Sequence, residues 1–326
     1  PPAMPSPRTH LTTPDLAPLT HEAFGKHRQL LHAERLRGGS KKGVYRLHLD
    51  DARTAIAYIW SPDENYWDHT QPPDPRRPFS PATGRDLLVA AHDRLTAVGV
   101  RTPRILYVGA DAVVAEDVTG GTLEDVLQRD PQHPALDRLA EALRVMHAHE
   151  NARYGKVALV DSGGVSHGTS CEQVVYEGML RELDKGVALE PRLAAVREPL
   201  AERIESLYEA VQPRSRHALI HGELGADHVL LTEDGEPVLI DIEGLMYFDL
   251  EQEHVFLKLR FGDWYERLPH PELDVDRLRF YRLCMHLSLV SGPLTLLRGD
   301  FPNPRFMKSI AEHNLGEALR LLEDAR

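Results

Sequence analysis

The stretch that decides the fold is His221-Gly222-Glu223-Leu224-Gly225-Ala226-Asp227-His228-Val229-Leu230-Leu231, followed shortly by Leu239-Ile240-Asp241-Ile242-Glu243. It sets a carboxylate and a second polar residue five positions apart in a tight loop. Short apolar runs at 229–231 and 238–240 then read as a hairpin that returns a second carboxylate, Asp241, on an apolar strand. Phosphoryl transfer uses this layout. One carboxylate receives the proton of the attacking hydroxyl, and others hold magnesium on the nucleotide phosphates.

On the N-terminal side, residues 1–20 hold five prolines before Asp15 and read as a flexible leader. Sparse apolar spacing over 22–36 suggests a short helix. Gly38-Gly39-Ser40-Lys41-Lys42-Gly43 is a glycine-rich turn between that segment and two alternating runs, 44–49 and 54–60, which read as paired strands. A connection over 61–81 with six prolines follows, either a flap over a substrate or a surface loop anchored by Trp67. Then come a helix over 85–98 and strands over 105–108 and 113–118. Beyond Gly120-Gly121 the spacing turns helical at 123–127, 136–149, 174–189 and 193–211, and again over 250–326 with breaks at the prolines near 269–271 and 302–304. The expected organisation is α+β and two-lobed. A small sheet-plus-helix lobe (21–118) would bind the nucleotide, and a larger, mostly helical lobe (119–326) would carry the catalytic loop and the acceptor site.

With 326 residues, 42% hydrophobic and 27% charged, the chain has the composition of an ordinary globular protein. No apolar run reaches the length of a membrane span, and the N-terminus lacks the build of a signal peptide. Cys171 and Cys284 lie far apart in apolar stretches and read as reduced core thiols of a cytoplasmic protein. The net charge of −12 divides unevenly, +1 over 1–118 and −13 over 119–326. An acidic half holding the catalytic loop repels nucleic acid and favours a cationic partner, although acidic surfaces also serve solubility alone.

In their order along the chain, these landmarks resemble the aminoglycoside phosphotransferase family, a branch of the protein-kinase-like fold that includes choline and fructosamine kinases. The set comprises the glycine turn, the hairpin, Gly99-Val100-Arg101-Thr102-Pro103, Val114-Ala115-Glu116-Asp117-Val118, Leu143-Arg144-Val145-Met146-His147, and the His221 loop with Asp241. The resemblance implies ATP (or GTP) and Mg2+ as cofactors and a hydroxyl acceptor. That acceptor would be a small molecule, a cationic one included, or a short peptide.

The family pattern at the loop is His-Gly-Asp-Leu-x-x-x-Asn, and two positions depart from it. Glu223 stands for the aspartate and keeps its acid chemistry on a longer stem, so the catalytic pair is Glu223, with His221 as the brace of the loop. His228 stands for the asparagine and is a metal ligand or a space filler. Asp241 matches the family's metal-binding aspartate, and Glu243, two residues on, faces the same way in an extended segment.

In the small lobe Tyr58 falls where kinases carry the phosphate-binding lysine, and a phenol cannot supply that charge at pH 7. Lys41 and Lys42 are the candidate replacements, with Gly39 and Ser40 in the same turn over the phosphates. The usual glutamate of the following helix is missing, with Asp86 an approximate candidate. The main chain of Glu116 and Val118 is the expected adenine contact. Asp249, Glu251, Glu253, Asp263 and Glu266 lie where the family shapes its acceptor pocket.

Two other readings compete with the kinase. One is a catalytically inactive kinase-like protein that binds a ligand or partner, favoured by the missing strand lysine. The other is a hydrolytic metal site of His221, His228 and Asp241, disfavoured because their spacing is not that of zinc-enzyme helices.

Overall fold

The computed structural model describes residues 7–67 and 72–324. In chain order the first lobe contains α1 (Thr13–Phe24), β1 (Leu30–Arg35), β2 (Gly43–Leu49), β3 (Thr54–Ile59), α2 (Arg85–Val98), β4 (Ile105–Val108) and β5 (Ala112–Glu116). The second contains α3 (Leu123–Arg129), α4 (Ala135–His147), β6 (Glu150–Asn151), β7 (Gly155–Lys156), α5 (Val157–Val160), α6 (Cys171–Leu189), α7 (Pro191–Ala194) and α8 (Arg197–Ala210). It continues with β8 (His217–Ile220), β9 (Val229–Leu231), β10 (Pro237–Leu239), β11 (Met246–Phe248), α9 (Leu250–Phe261), α10 (Val275–Leu296) and α11 (Pro304–Glu323).

The first lobe is an antiparallel five-stranded sheet in the order β1-β2-β3-β5-β4. In β2, buried residues alternate with half-buried ones, as the sequence pattern requires. α1 covers one face of the sheet. Its Leu16 packs into a cluster with Tyr45, Leu47, Ala57 and Val114, and Thr12 with Asp15 caps its start.

The leader expected over 1–20 is therefore shorter, because 13–20 is helical and docked. The helix expected over 22–36 is also corrected, since α1 ends at Phe24 and Leu30–Arg35 is the edge strand. Its Leu31 is exposed, which let a two-residue period pass for a helical one.

The second lobe is helical around a small four-stranded sheet, β6-β8-β11-β7, and the β10-β9 hairpin. α10 is buried for most of its length and packs on α6, α8, α9 and α11. The connector runs alongside the hairpin. Gly120 N–H donates to Leu231 O (2.9 Å), and Leu231 N–H donates to Gly121 O (2.9 Å). The catalytic loop is thereby fastened to the junction between the lobes.

Candidate active site

The catalytic loop occupies 221–228, between β8 and β9. Gly222 takes φ 94°, which a side chain would resist, and lets the chain turn at once after the buried His221. Both ring nitrogens of His221 are engaged. Its Nε2 donates to Ile240 O (2.9 Å), and its Nδ1 accepts from Glu223 N–H (3.4 Å). The ring joins the loop to the end of the hairpin, the bracing role expected of it.

Glu253, buried on α9, completes the anchor. Its carboxylate accepts from His221 N–H (2.8 Å), Gly222 N–H (2.9 Å) and His147 Nε2 (3.1 Å). Burial alone would raise its pKa, but these donors and the two histidines hold it below the usual carboxylate range. The side chain of Glu223 is exposed, and its carboxylate accepts no hydrogen bond among the described residues. Its carbonyl is fixed by His228 Nδ1 (3.2 Å) and Arg260 (3.3 Å).

Asp241 lies just past β10 in a left-handed conformation, φ 57°. This corrects the expectation of a buried carboxylate on a strand. The turn swings its side chain, 48% exposed, toward the interlobe cleft, while Ile242 and Glu243 beyond it are buried. Aspartate tolerates this backbone region better than most residues.

Lys42 meets both acids. Its Nζ is 3.1 Å from Asp241 Oδ1 and bonded closely to Glu243 Oε1. Burial would depress the ammonium's pKa, but the two carboxylates outweigh it and the net shift is upward, so Lys42 is charged. The same Coulomb attraction, chiefly from Lys42, holds Asp241 well below the normal range. Glu243 Oε2 is buried and without a hydrogen-bond partner among the described residues. Asp241 Oδ2 also faces His228 Nε2 at 3.6 Å, and a half-exposed carboxylate with an imidazole beside it fits a divalent cation that completes its shell with other oxygens.

The register explains how Lys42 comes to stand beside Tyr58. Tyr58 on β3 pairs with Val44 of β2, and Lys42 lies two residues before Val44, on the same face. The Lys42 ammonium sits 5.3 Å from the centre of the Tyr58 ring. The ammonium is carried by the residue just before the adjacent strand, and the phenol walls it. An ammonium thus stands beside Asp241 and Glu243 although β3 itself carries no lysine.

Lys41 points elsewhere, over the Trp67 ring at 5.9 Å. Ser40 Oγ accepts from Trp67 Nε1 (2.7 Å), so the tryptophan anchors the glycine turn. Gly39 takes φ 75° within that turn. Asp86 is solvated and, among the described residues, pairs with its neighbour Arg85 (3.2 Å); Lys42 meets Glu243 and Asp241 instead.

Next to the charged cluster, Leu88, Ile105, Ala115 and Ile242 line an apolar slot that ends at Lys42 and Asp241. Following Ala115, the Glu116 side chain is taken up by Arg101 (2.6 Å) and Arg104, its N–H donates to Arg104 O (2.9 Å), and Val118 is buried. The acids of α9 do not form an acceptor wall. Glu251 is buried against Arg214 (2.6 Å), Asp249 against Arg277 (2.6 Å), and Glu253 serves the loop, while Asp263 and Glu266 stay exposed. The structural role of Glu253 was hidden in the sequence because an acid on a helix ordinarily faces water.

Residues 32–285 match the model of the phosphotransferase enzyme family. The chain belongs to that family. It is a phosphotransferase of the protein-kinase-like fold with a hydroxyl acceptor. No curated protein matches it.

Among solved structures it is similar to aminoglycoside phosphotransferase APH(4)-Ia. The identity is 15%, the match covers 97% of this chain and 100% of that one, and the TM-score is 0.64. A thermostable mutant of APH(4)-Ia, in ternary complex with AMP-PNP and hygromycin B, gives a TM-score of 0.65 at 16% identity, covering 95% of this chain and 98% of that one. The AMP-bound spectinomycin phosphotransferase APH(9)-Ia gives 0.62 at 11% identity, covering 93% and 95%. At these identities the likeness is one of fold.

Proposed function

We propose that this protein transfers the γ-phosphate of ATP to a hydroxyl of a small molecule such as an antibiotic. The observation behind this is the convergence of Lys42, Asp241 and Glu243 from opposite lobes at the end of an apolar slot. The base would lie between the lobes near the main chain of 116–118, with the lobe boundary near Val118, and the phosphates would run toward Lys42 beneath the turn of Gly39 and Ser40. Asp241, with His228 3.6 Å from it, would hold a divalent cation, and Glu243 would keep Lys42 in place. Bound there, it would neutralise charge on the transferring phosphoryl oxygens. Lys42 would orient the phosphates from the opposite lobe.

Glu223 would accept the hydroxyl proton; its carboxylate is exposed on a loop clamped at His221 and Gly222 by Glu253. The similar enzymes complexed with AMP-PNP and hygromycin B support ATP and a small acceptor. The net charge of −13 over 119–326 favours a cationic one. Cys171 and Cys284 are buried and unpaired, and no helix among the described residues is long and apolar enough to cross a membrane. Both facts suit a cytoplasmic setting.

Thermal shift with ATP or GTP, with and without Mg2+, tests the reading. A metal-dependent rise in Tm with ATP that Asp241→Asn abolishes is the expected result. No shift with either nucleotide would overturn it.

A further inference from the structure

The residue at 228 distinguishes this site from the pattern His-Gly-Asp-Leu-x-x-x-Asn, and its surroundings fix which of its atoms is available. His228 Nδ1 lies 3.2 Å from the carbonyl of Glu223. A carbonyl only accepts, so Nδ1 carries the proton. The neutral tautomer with a proton on Nδ1 leaves a bare lone pair on Nε2, and a backbone carbonyl that orients the ring from behind is the usual support of a metal-ligating histidine.

Nε2 faces Asp241 Oδ2 at 3.6 Å. That separation is within the ~4.2 Å that two metal–ligand bonds of about 2.1 Å can bridge. Asp241 Oδ1 turns to Lys42 on the other side (3.1 Å), so the two oxygens of this carboxylate serve different partners. Asp227 is 3.9 Å from Nε2 through one oxygen and is held through its other by Arg260 (2.6 Å), which adds negative charge without closing the gap. Glu243 is engaged with Lys42, so the protein's own donors facing one another here are His228 Nε2 and Asp241 Oδ2.

We propose that His228 turns this position into a mixed nitrogen–oxygen site that takes a first-row transition dication, such as Mn2+ or Co2+, in preference to Mg2+. This rests on the phosphotransferase reading and adds to it the class of metal. Mg2+ favours an all-oxygen shell and gains little from an imidazole, whereas first-row transition ions gain affinity from a nitrogen donor. An asparagine at 228 would offer an oxygen and leave Mg2+ well served.

The test is metal binding by the full-length protein with ATP and no acceptor. Mn2+ is followed by electron paramagnetic resonance, and Mg2+ and Co2+ by competition. The wild type should bind Mn2+ at least about tenfold more tightly than Mg2+, and His228→Asn should lower that ratio about tenfold. Protein labelled with 15N should show a directly coordinated nitrogen in pulsed spectra of bound Mn2+, a signal His228→Asn loses. The wild-type spectrum answers the question even if the variant folds poorly. Mn2+ bound in an Asp241-dependent way with no protein nitrogen, and an unchanged ratio in the variant, would overturn the proposal and leave the kinase reading standing. No metal–nucleotide binding of any kind would end both.

Discussion

Two clusters of acid and base lie in the second lobe or on its border, and their difference separates architecture from chemistry. Around Asp249 the network is closed. The buried carboxylate accepts from Arg277 (2.6 Å) and the Tyr281 hydroxyl (2.5 Å) and faces His217 (3.5 Å), and Arg277 also reaches Glu172 (3.2 Å). Around Asp241 the network is open: one side chain is half exposed and one buried oxygen is unpaired. Closed networks hold elements in register, while open ones keep free energy in reserve for a ligand. Cys171, His217 and Asp249 lie within ligand distance of one another, yet belong to the closed kind, because Arg277 already supplies the positive charge.

The largest effect should come from breaking the closed cluster. Arg277→Met strands Asp249 in the core and should cost about 3–5 kcal/mol of stability, read as a lower denaturant midpoint, with activity per folded molecule little changed. Asp241→Asn should do the reverse. Turnover should fall about 10³-fold, roughly 4 kcal/mol of transition-state stabilisation, with a modest change in unfolding. Lys42→Ala should lose about 10²-fold in kcat/KM for ATP, and Tyr58→Lys added to it should restore part of that loss by returning the cation to β3. If the double variant is no better than the single one, the two positions do not share a site.

Glu253→Gln should lower kcat about tenfold by loosening the loop, with KM for ATP nearly unchanged. The smallest effect concerns pH. Burial pushes the Asp249 carboxyl upward, but His217, Arg277 and Tyr281 outweigh it and its folded pKa is depressed. Its stabilisation is therefore complete above the unfolded value of about 3.9 and is lost as the pH falls below it. Asp249→Asn should flatten the acid limb of the stability curve.

Much of this was legible in the sequence, for identifiable reasons. The catalytic loop announces itself because its glycines and its acid are tied to a few adjacent backbone positions. The β10-β9 hairpin shows as paired apolar runs, and α2 by its one buried face. β1 did not, because an exposed edge strand with polar neighbours has no clean period. The α9 acids misled because its buried face is charged; their partners Arg214, Arg277 and His147 lie far away in sequence. Lys41 and Lys42 could not be ranked in advance, since only strand pairing decides which ammonium enters the cleft.

The position of Lys42 bears on how relatives are sorted into living and dead. A charge that passes between neighbouring strands keeps its place in space while leaving its column in an alignment. A chain condemned for an empty column can still have a full cleft, so the question to ask of each relative is where an ammonium ends up, not where it is written.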